Sequence, residues 1–410
     1  MAVQALKCKE CGETYPLDAL FVCEQCFGPL EVAYDLSDLD PEEARRKIQA
    51  GSRGIWRYSD FLPFDGRPGD PLEPGLTPLI RADRLAERLG LGELWIKNDA
   101  ANPTHSFKDR VVAVAVAKAK ELGFETVACA STGNLANAVA AHAAAAGLES
   151  YVFVPADLEE QKLLATGIYG THLVGIRGTY DDVNRLCTEL SQTHPWAVVN
   201  VNLRPYYSEG SKTLAFETVE QLGWKLPDRV VAPIASGSLF TKLAKGMREW
   251  LDLGLVEGEL PVFCGAQAEG CSPVATAFAE GWDVCKPQRP DTIAKSLAIG
   301  DPADGPYALD LARSTGGVIE SVTDDEIRAG IRLLAETTGV FTETAGGVTV
   351  GVLAKLAASG AIGADESVVA YITGEGLKTL DAVREAFEMH EIEPTLEAFE
   401  AEFEGVAASA

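Results

Sequence analysis

The sequence predicts an α/β protein in which two mostly parallel, wrapped sheets follow a small four-cysteine extension. Three observations carry this expectation. From Leu94 onward, short apolar runs alternate with longer segments of helical pattern, and a second series of the same kind starts at Val230. Ahead of both, Cys8, Cys11, Cys23 and Cys26 form a Cys-x2-Cys-x11-Cys-x2-Cys pattern.

Paired knuckles of this kind place four thiolates around a tetrahedral site, the usual arrangement for structural zinc. Gly12 and Gly28 lie just past their knuckles, where a tight turn wants them. The alternatives are two disulfides or an empty relic, and a cytosolic location argues against disulfides. With all four corners filled, such a zinc supplies no chemistry. Cys129, Cys187, Cys264, Cys271 and Cys285 stand singly among apolar residues and read as buried thiols. Residues 35–50 read as a capped surface helix. Residues 63–75, with four prolines and three glycines, read as an irregular loop.

The 410 residues are enough for two or three domains and a large core. A hydrophobic fraction of 47% and a charged fraction of 23% are those of an ordinary globular protein. With 35 basic and 61 acidic residues the formal charge is −26, which argues against nucleic acid or an anionic membrane as partner. No apolar stretch approaches the ~18 residues of a membrane span. The N-terminus lacks the apolar centre of a secretory signal, so the expected location is cytoplasmic. On so acidic a surface, any phosphate site must be a local positive pocket.

In the body, strands are expected at Leu94–Lys97, Thr126–Ala130, Tyr151–Val154, His172–Ile176, Arg229–Ile234 and Val368–Ile372. Helices are expected near 107–122, 135–146, 157–168 and 180–193, and from Phe240. Ligands of such sheets sit at strand C-terminal ends against helix N-termini.

The most informative segment is Asn102-Pro103-Thr104-His105-Ser106-Phe107-Lys108-Asp109-Arg110. Asn102-Pro103 marks a turn, and Ser106 stands three residues before Asp109, the Ser-x-x-acid pattern of a helix start. The apolar run Val111–Ala117 makes the following helix a buried one. Lys108 then lies in the first turn, where macrodipole and desolvation both disfavour positive charge. A partly neutral amine in a pocket is what Schiff-base chemistry with an aldehyde cofactor requires. The competing reading is a lysine that lays its stem along apolar surface.

Three strand-to-helix loops share that position. Ser131-Thr132-Gly133-Asn134 offers amides and hydroxyls to a carboxylate, although such caps are common. Ala235-Ser236-Gly237-Ser238-Leu239 is either a phosphate cup or an ordinary turn. Thr373-Gly374-Glu375-Gly376 lets the backbone approach a ligand closely and offers the neutral Thr373 hydroxyl.

Taken in order, the nonapeptide, Ser131–Asn134, Glu209-Gly210-Ser211-Lys212-Thr213 and Thr373–Lys378 resemble the threonine synthases, a family of fold type II pyridoxal-phosphate enzymes. The resemblance spans roughly residues 70–385 and implies pyridoxal phosphate as cofactor. It makes Lys108 the residue that binds the cofactor's aldehyde and then moves protons at the substrate's α, β and γ carbons. Asn134 would meet the ring hydroxyl, and Ala235, Ser236, Gly237, Ser238 and Leu239 the cofactor phosphate. Thr373 would face the ring nitrogen. A hydroxyl there cannot stabilise a protonated ring, which favours elimination and addition over transamination. Ser131 and Thr132 would hold the substrate carboxylate, and Arg185 the substrate phosphate.

The implied reaction is O-phospho-L-homoserine plus water giving L-threonine and phosphate. A cysteate-synthase-like β-replacement on O-phosphoserine, a serine/threonine dehydratase and a cofactor-binding sensor are the alternatives. The chain departs from the family at 235–239, where a Gly-Asn-x-Gly-Asn cup is usual, and at Leu135, where a hydroxyl residue is common. The implied architecture is a zinc-ribbon-like extension (1–50), a large cofactor-binding domain (51–102 with 205–395), a small mobile domain (103–204) and a tail (396–410). A homodimer with a small-molecule substrate is expected.

Overall fold

The computed structural model describes residues 3–69, 71–131, 133–156, 160–177, 180–384 and 387–403. The extension holds β1 (Val3–Cys8), β2 (Thr14–Tyr15) and β3 (Leu30–Tyr34), an antiparallel sheet in the order β2-β1-β3. Helix α1 (Pro41–Ala50) follows. It starts later than the expected residue 35, because the Asp40 carboxylate accepts the Glu43 amide at 2.7 Å and Pro41 fixes the first turn.

Next come β4 (Leu79–Arg81), α2 (Asp83–Leu89), β5 (Glu93–Asn98) and α3 (Lys108–Glu121). A βα series follows: β6 (Thr126–Ala130), α4 (Asn134–Ala146), β7 (Glu149–Pro155), α5 (Glu160–Gly167), β8 (His172–Ile176), α6 (Tyr180–Thr193) and β9 (Trp196–Val198). Then α7 (Arg204–Glu209) and α8 (Lys212–Gln221) lead into β10 (Arg229–Pro233), α9 (Ser238–Leu253) and β11 (Val262–Ala268). The chain finishes with α10 (Pro273–Ala279), α11 (Gly305–Ser314), β12 (Ile319–Val322), α12 (Asp324–Thr338), α13 (Thr344–Ala358), β13 (Ser367–Ile372) and α14 (Leu396–Glu402).

Two wrapped sheets result, as expected. The first, β8-β7-β6-β9, is parallel throughout. The second, β12-β11-β10-β13-β5-β4, is parallel except for edge strand β4. Central strands are apolar on both faces because helices cover both. In β6, Val127 and Cys129 pack with α3 and α4, while Ala128 and Ala130 meet Val183 and Cys187 of α6. In β13, Val369 and Tyr371 join the core of α8 and α9, and Val368, Ala370 and Ile372 join that of α13. The extension is not a separate body: Val3, Leu6, Cys8, Cys23, Leu30 and Val32 belong to the same apolar cluster as Val111, Leu135 and Tyr206.

A buried charge network fixes α3 against this frame. Arg110, fully buried, reaches Asp99 through Nε and Nη2 (2.7 and 2.8 Å) and Glu217 of α8 through Nη1 and Nη2 (2.8 and 2.9 Å). Lys97 of β5 donates to the same Glu217 at 2.5 Å, and the amides of Leu76 and Thr77 complete its shell at 2.8 and 2.7 Å. Burial alone would push the Glu217 carboxyl up, but Arg110 and Lys97 outweigh it and hold it well below the usual range. Two cations and two carboxylates balance. Removing one cation leaves buried carboxylates unpaired, so Arg110→Met is expected to destabilise the fold by about 3–5 kcal/mol, read from denaturant unfolding.

Candidate active site

Lys108 is the first residue of α3, and the turn before it is built by its own neighbours. The Asn102 side chain accepts the Gly75 amide (3.0 Å) and donates to the Asp99 carbonyl (2.9 Å). His105 takes a left-handed φ of 61°, an unfavourable conformation worth about 1–2 kcal/mol. Tertiary hydrogen bonds hold it there: its carbonyl accepts the Glu375 amide at 3.1 Å.

The Ser106–Asp109 capping pattern is not used. Ser106 pairs instead with Gly374 as an isolated bridge, Phe107 N–H donates to the Thr373 carbonyl (2.9 Å), and helix α3 begins only at Lys108. Asp109 turns back to Thr104, accepting its amide (2.7 Å) and hydroxyl (2.8 Å), and lies 3.0 Å from His142 Nε2. The helix itself is buried, as the sequence predicts.

The other residues arrive from three more helix N-termini. Asn134 opens α4; its Nδ2 lies 3.0 Å from both carboxylate oxygens of Glu343, and its Oδ1 accepts Lys378 Nζ at 2.8 Å. Glu343 precedes α13 and is 3% exposed. Its amide donates to the Gly374 carbonyl (3.1 Å), and a Cβ on Gly374 would lie 2.4 Å from its Oε1. Lys378 Nζ also donates to the Thr104 carbonyl at 2.7 Å. Burial pushes the Glu343 carboxyl up, and Asn134, Lys378 and Lys108 offset this only in part. Burial also pushes the Lys378 ammonium down, against Glu343, Asp109 and Glu375.

Thr373, 3% exposed, follows β13 directly and lies beside Phe107 of the Lys108 turn. Ala235–Leu239 joins β10 to the N-terminus of α9, with Gly237 at φ 94°. Its close neighbour is Asp304, whose amide donates to the Ser236 carbonyl at 2.8 Å. Ser131 precedes α4, and its hydroxyl accepts the Gly133 amide at 3.4 Å. Thr132 lies outside the described residues.

Arg185 stands apart from this group. Residues Val183, Leu186, Cys187 and Leu190 turn one face of α6 onto the sheet. That leaves the Arg185 side chain 70% exposed, paired with Asp182 at 3.0 Å. The helical periodicity that buries its neighbours points it outward, so this geometry does not bring it to the site.

Three residues that no motif assigned complete the centre: Glu343, Lys378 and Tyr207, whose hydroxyl accepts Lys108 Nζ at 2.7 Å. Lys378 lay inside a recognised motif without a role. An acid directly before Thr344-Ala345-Gly346-Gly347 was the only signal for Glu343. Nothing in the local pattern distinguishes Tyr207 from Tyr206.

The residues present fit pyridoxal phosphate. A lysine, an amide-bearing asparagine, a buried threonine hydroxyl and a glycine-containing helix N-terminus are the donors its aldehyde, ring and phosphate ask for. Two buried hydroxyls beside them, Ser106 Oγ and Thr344 Oγ1, have no hydrogen-bond partner. Gly237 tests the phosphate cup. A Cβ there would lie 2.7 Å from the Asp304 carbonyl oxygen on a left-handed backbone. Strain of about 1–3 kcal/mol should follow, so Gly237→Ala is expected to weaken cofactor affinity about tenfold or more in an absorbance titration.

At the other end of the chain, the sulfurs of Cys8, Cys11, Cys23 and Cys26 lie within 4.8 Å of one another, with Cys8–Cys26 at 3.4 Å and Cys11–Cys23 at 3.5 Å. A zinc–sulfur bond near 2.3 Å implies tetrahedral edges of roughly 3.8 Å, so the cluster has the dimensions of a metal site.

Residues 71–374 match the pyridoxal-phosphate-dependent enzyme family. Among curated proteins, the chain is 38% identical to threonine synthase of Methanocaldococcus jannaschii, covering 93% of this chain and 95% of that one. It is 39% identical to threonine synthase of Methanosarcina acetivorans, covering 95% of each. Among solved structures it is similar in fold to the processed form of threonine deaminase isoform 2 from Solanum lycopersicum, with a TM-score of 0.64 at 21% identity over 84% of this chain and 87% of that one. Maize serine racemase gives 0.62 at 19% identity over 85% and 98%. With a family match across its catalytic body and curated relatives spanning nearly its whole length, the chain belongs to the threonine synthases of the pyridoxal-phosphate-dependent enzymes.

Proposed function

We propose that the chain converts O-phospho-L-homoserine and water to L-threonine and phosphate, with Lys108 as its catalytic residue. The observation that carries this assignment is the placement of Lys108 at a helix start beside Tyr207, within a turn tied to Thr373. Bound there, pyridoxal phosphate supplies an electron sink for carbanions on the substrate.

The chain's own residues divide the remaining work. Lys108 holds the cofactor's aldehyde, and its amine, once free, takes and returns protons at the α, β and γ carbons. Ala235–Leu239 holds the cofactor phosphate at the positive end of α9, a local attraction within a protein of charge −26. Asn134 serves the ring hydroxyl, and its orientation is set by Glu343 and Lys378. Thr373 gives the ring nitrogen a neutral partner. Ser131 and Thr132 serve the substrate carboxylate. The series β6–β9 forms the closing half of the site and excludes water until phosphate has left.

Zinc at the four cysteines is structural in this reading, since no open coordination position remains. All nine cysteines are free, which suits a cytoplasmic protein. No helix among the described residues is long and apolar enough to cross a membrane. Metal analysis is expected to find about one zinc per chain in the wild type and a loss of zinc in Cys23→Ser.

Lys108→Ala is expected to bind pyridoxal phosphate without a covalent link. Borohydride should fix the cofactor to the wild type alone, and turnover should fall by roughly three orders of magnitude or more. Peptide mapping that places the label on Lys97, Lys212 or Lys378 would overturn the assignment.

A further inference from the structure

Tyr207 is held more firmly than the lysine it contacts. Its helix, α7, ends at Gly210, where a Cβ would lie 2.5 Å from the Arg110 carbonyl oxygen and 2.6 Å from Val111 Cα, so α7 packs directly on the first turn of α3. Arg204, at the other end, pairs with Asp304 at 2.8 Å, the residue whose amide holds the Ser236 carbonyl. Glu209 is wholly buried and paired with Lys242 (2.7 Å) and Lys245 (3.0 Å). The neighbouring Tyr206 donates to the Asp18 carbonyl at 2.9 Å in the cysteine module. The phenol of Tyr207, 8% exposed, therefore marks a fixed point, while the Lys108 stem has four rotatable carbons.

Lys108 must alternate between holding the cofactor and standing free as a base. A free amine needs an acceptor to keep it near the reacting carbons, because a misplacement of about 1 Å costs about a hundredfold in rate. The Phe107 ring lies 4.6 Å from Nζ and limits its swing without accepting a strong hydrogen bond. Tyr207 Oη does accept one, at 2.7 Å.

We propose that Tyr207 is a positioning residue, the seat that receives the Lys108 amine each time it is released and aims it at the substrate. The amine donates and the phenolic oxygen accepts. The transferable proton stays with Lys108, and no bond is made or broken at the tyrosine. The inference rests on Lys108 being the lysine that holds the cofactor.

The test compares Tyr207→Phe with Tyr206→Phe, which removes the contact to Asp18 but not the one to Lys108. Borohydride labelling is mapped first in both; a label away from Lys108 would refute the cofactor assignment rather than the role of Tyr207. With the label on Lys108, Tyr207→Phe is expected to lower kcat about 10- to 100-fold with KM little changed. It should also enlarge the isotope effect on α-deuterated phosphohomoserine. In cofactor-free protein it should slow pyridoxal-phosphate uptake followed by absorbance, with an unchanged melting midpoint. Tyr206→Phe should leave kcat as in the wild type. A Tyr207→Phe enzyme with wild-type kcat and isotope effect would overturn the proposal, whatever its uptake rate. An equal loss in Tyr206→Phe would also overturn it, since seating of α7 rather than the phenol would then be responsible.

Discussion

The Arg110 guanidinium lies two residues beyond Lys108 and is wholly buried, so its charge must be met by carboxylates inside the protein. Asp99 follows β5 and Glu217 belongs to α8, elements of the larger sheet's layer, whereas α3 packs on the smaller sheet. One charged side chain thus pins the Lys108 turn at the seam between the two halves. Thr77, Lys97 and Gln221 complete the hydrogen-bonding of that seam, with Lys97 Nζ 2.7 Å from the Gln221 side-chain oxygen. Such a cluster adds little net stability over an apolar one.

A second charged seam attaches the cysteine module. Lys242 and Lys245, on α9, reach both Glu209 of α7 and Glu31 of β3. Burial would raise the Glu31 carboxyl, but the two lysines hold it down at about 2. Lys9 lies over the Tyr307 ring at 3.2 Å, and the Tyr307 hydroxyl meets Glu10. The module therefore braces α7, α9 and α11, the helices that carry Tyr207, Lys242 with Lys245, and Tyr307.

The family motifs turn out to do two kinds of work. In the nonapeptide, Lys108 is the residue to which the cofactor role is proposed, while Asn102, Thr104, Asp109 and Arg110 build and anchor its turn. In Glu209–Thr213, the described contacts are structural: Glu209 and Lys212 pair within buried charge clusters, Gly210 admits α3, and the Thr213 hydroxyl accepts Arg110 at 3.3 Å. A motif can be specific to a family because packing demands it, without any of its side chains reaching a ligand.

The sequence alone determined the fold class, the alternation of strands and helices and the three loops at strand ends, because these follow from hydrophobic period and from glycine and proline placement. It also singled out Lys108 and the four cysteines, since those signals are local in the chain. It misjudged Ser106, whose capping pattern lost to a pairing with Gly374, and it gave no sign that the apolar face of α6 turns Arg185 outward. Only the tertiary structure decided that Glu343 and Lys378 meet at Asn134, across sequence separations of 209 and 244 residues, and that Tyr207 meets Lys108 across 99. Local periodicity says which face of an element is buried. Which side chains meet inside depends on how the sheets pack together, and that is set by the whole chain.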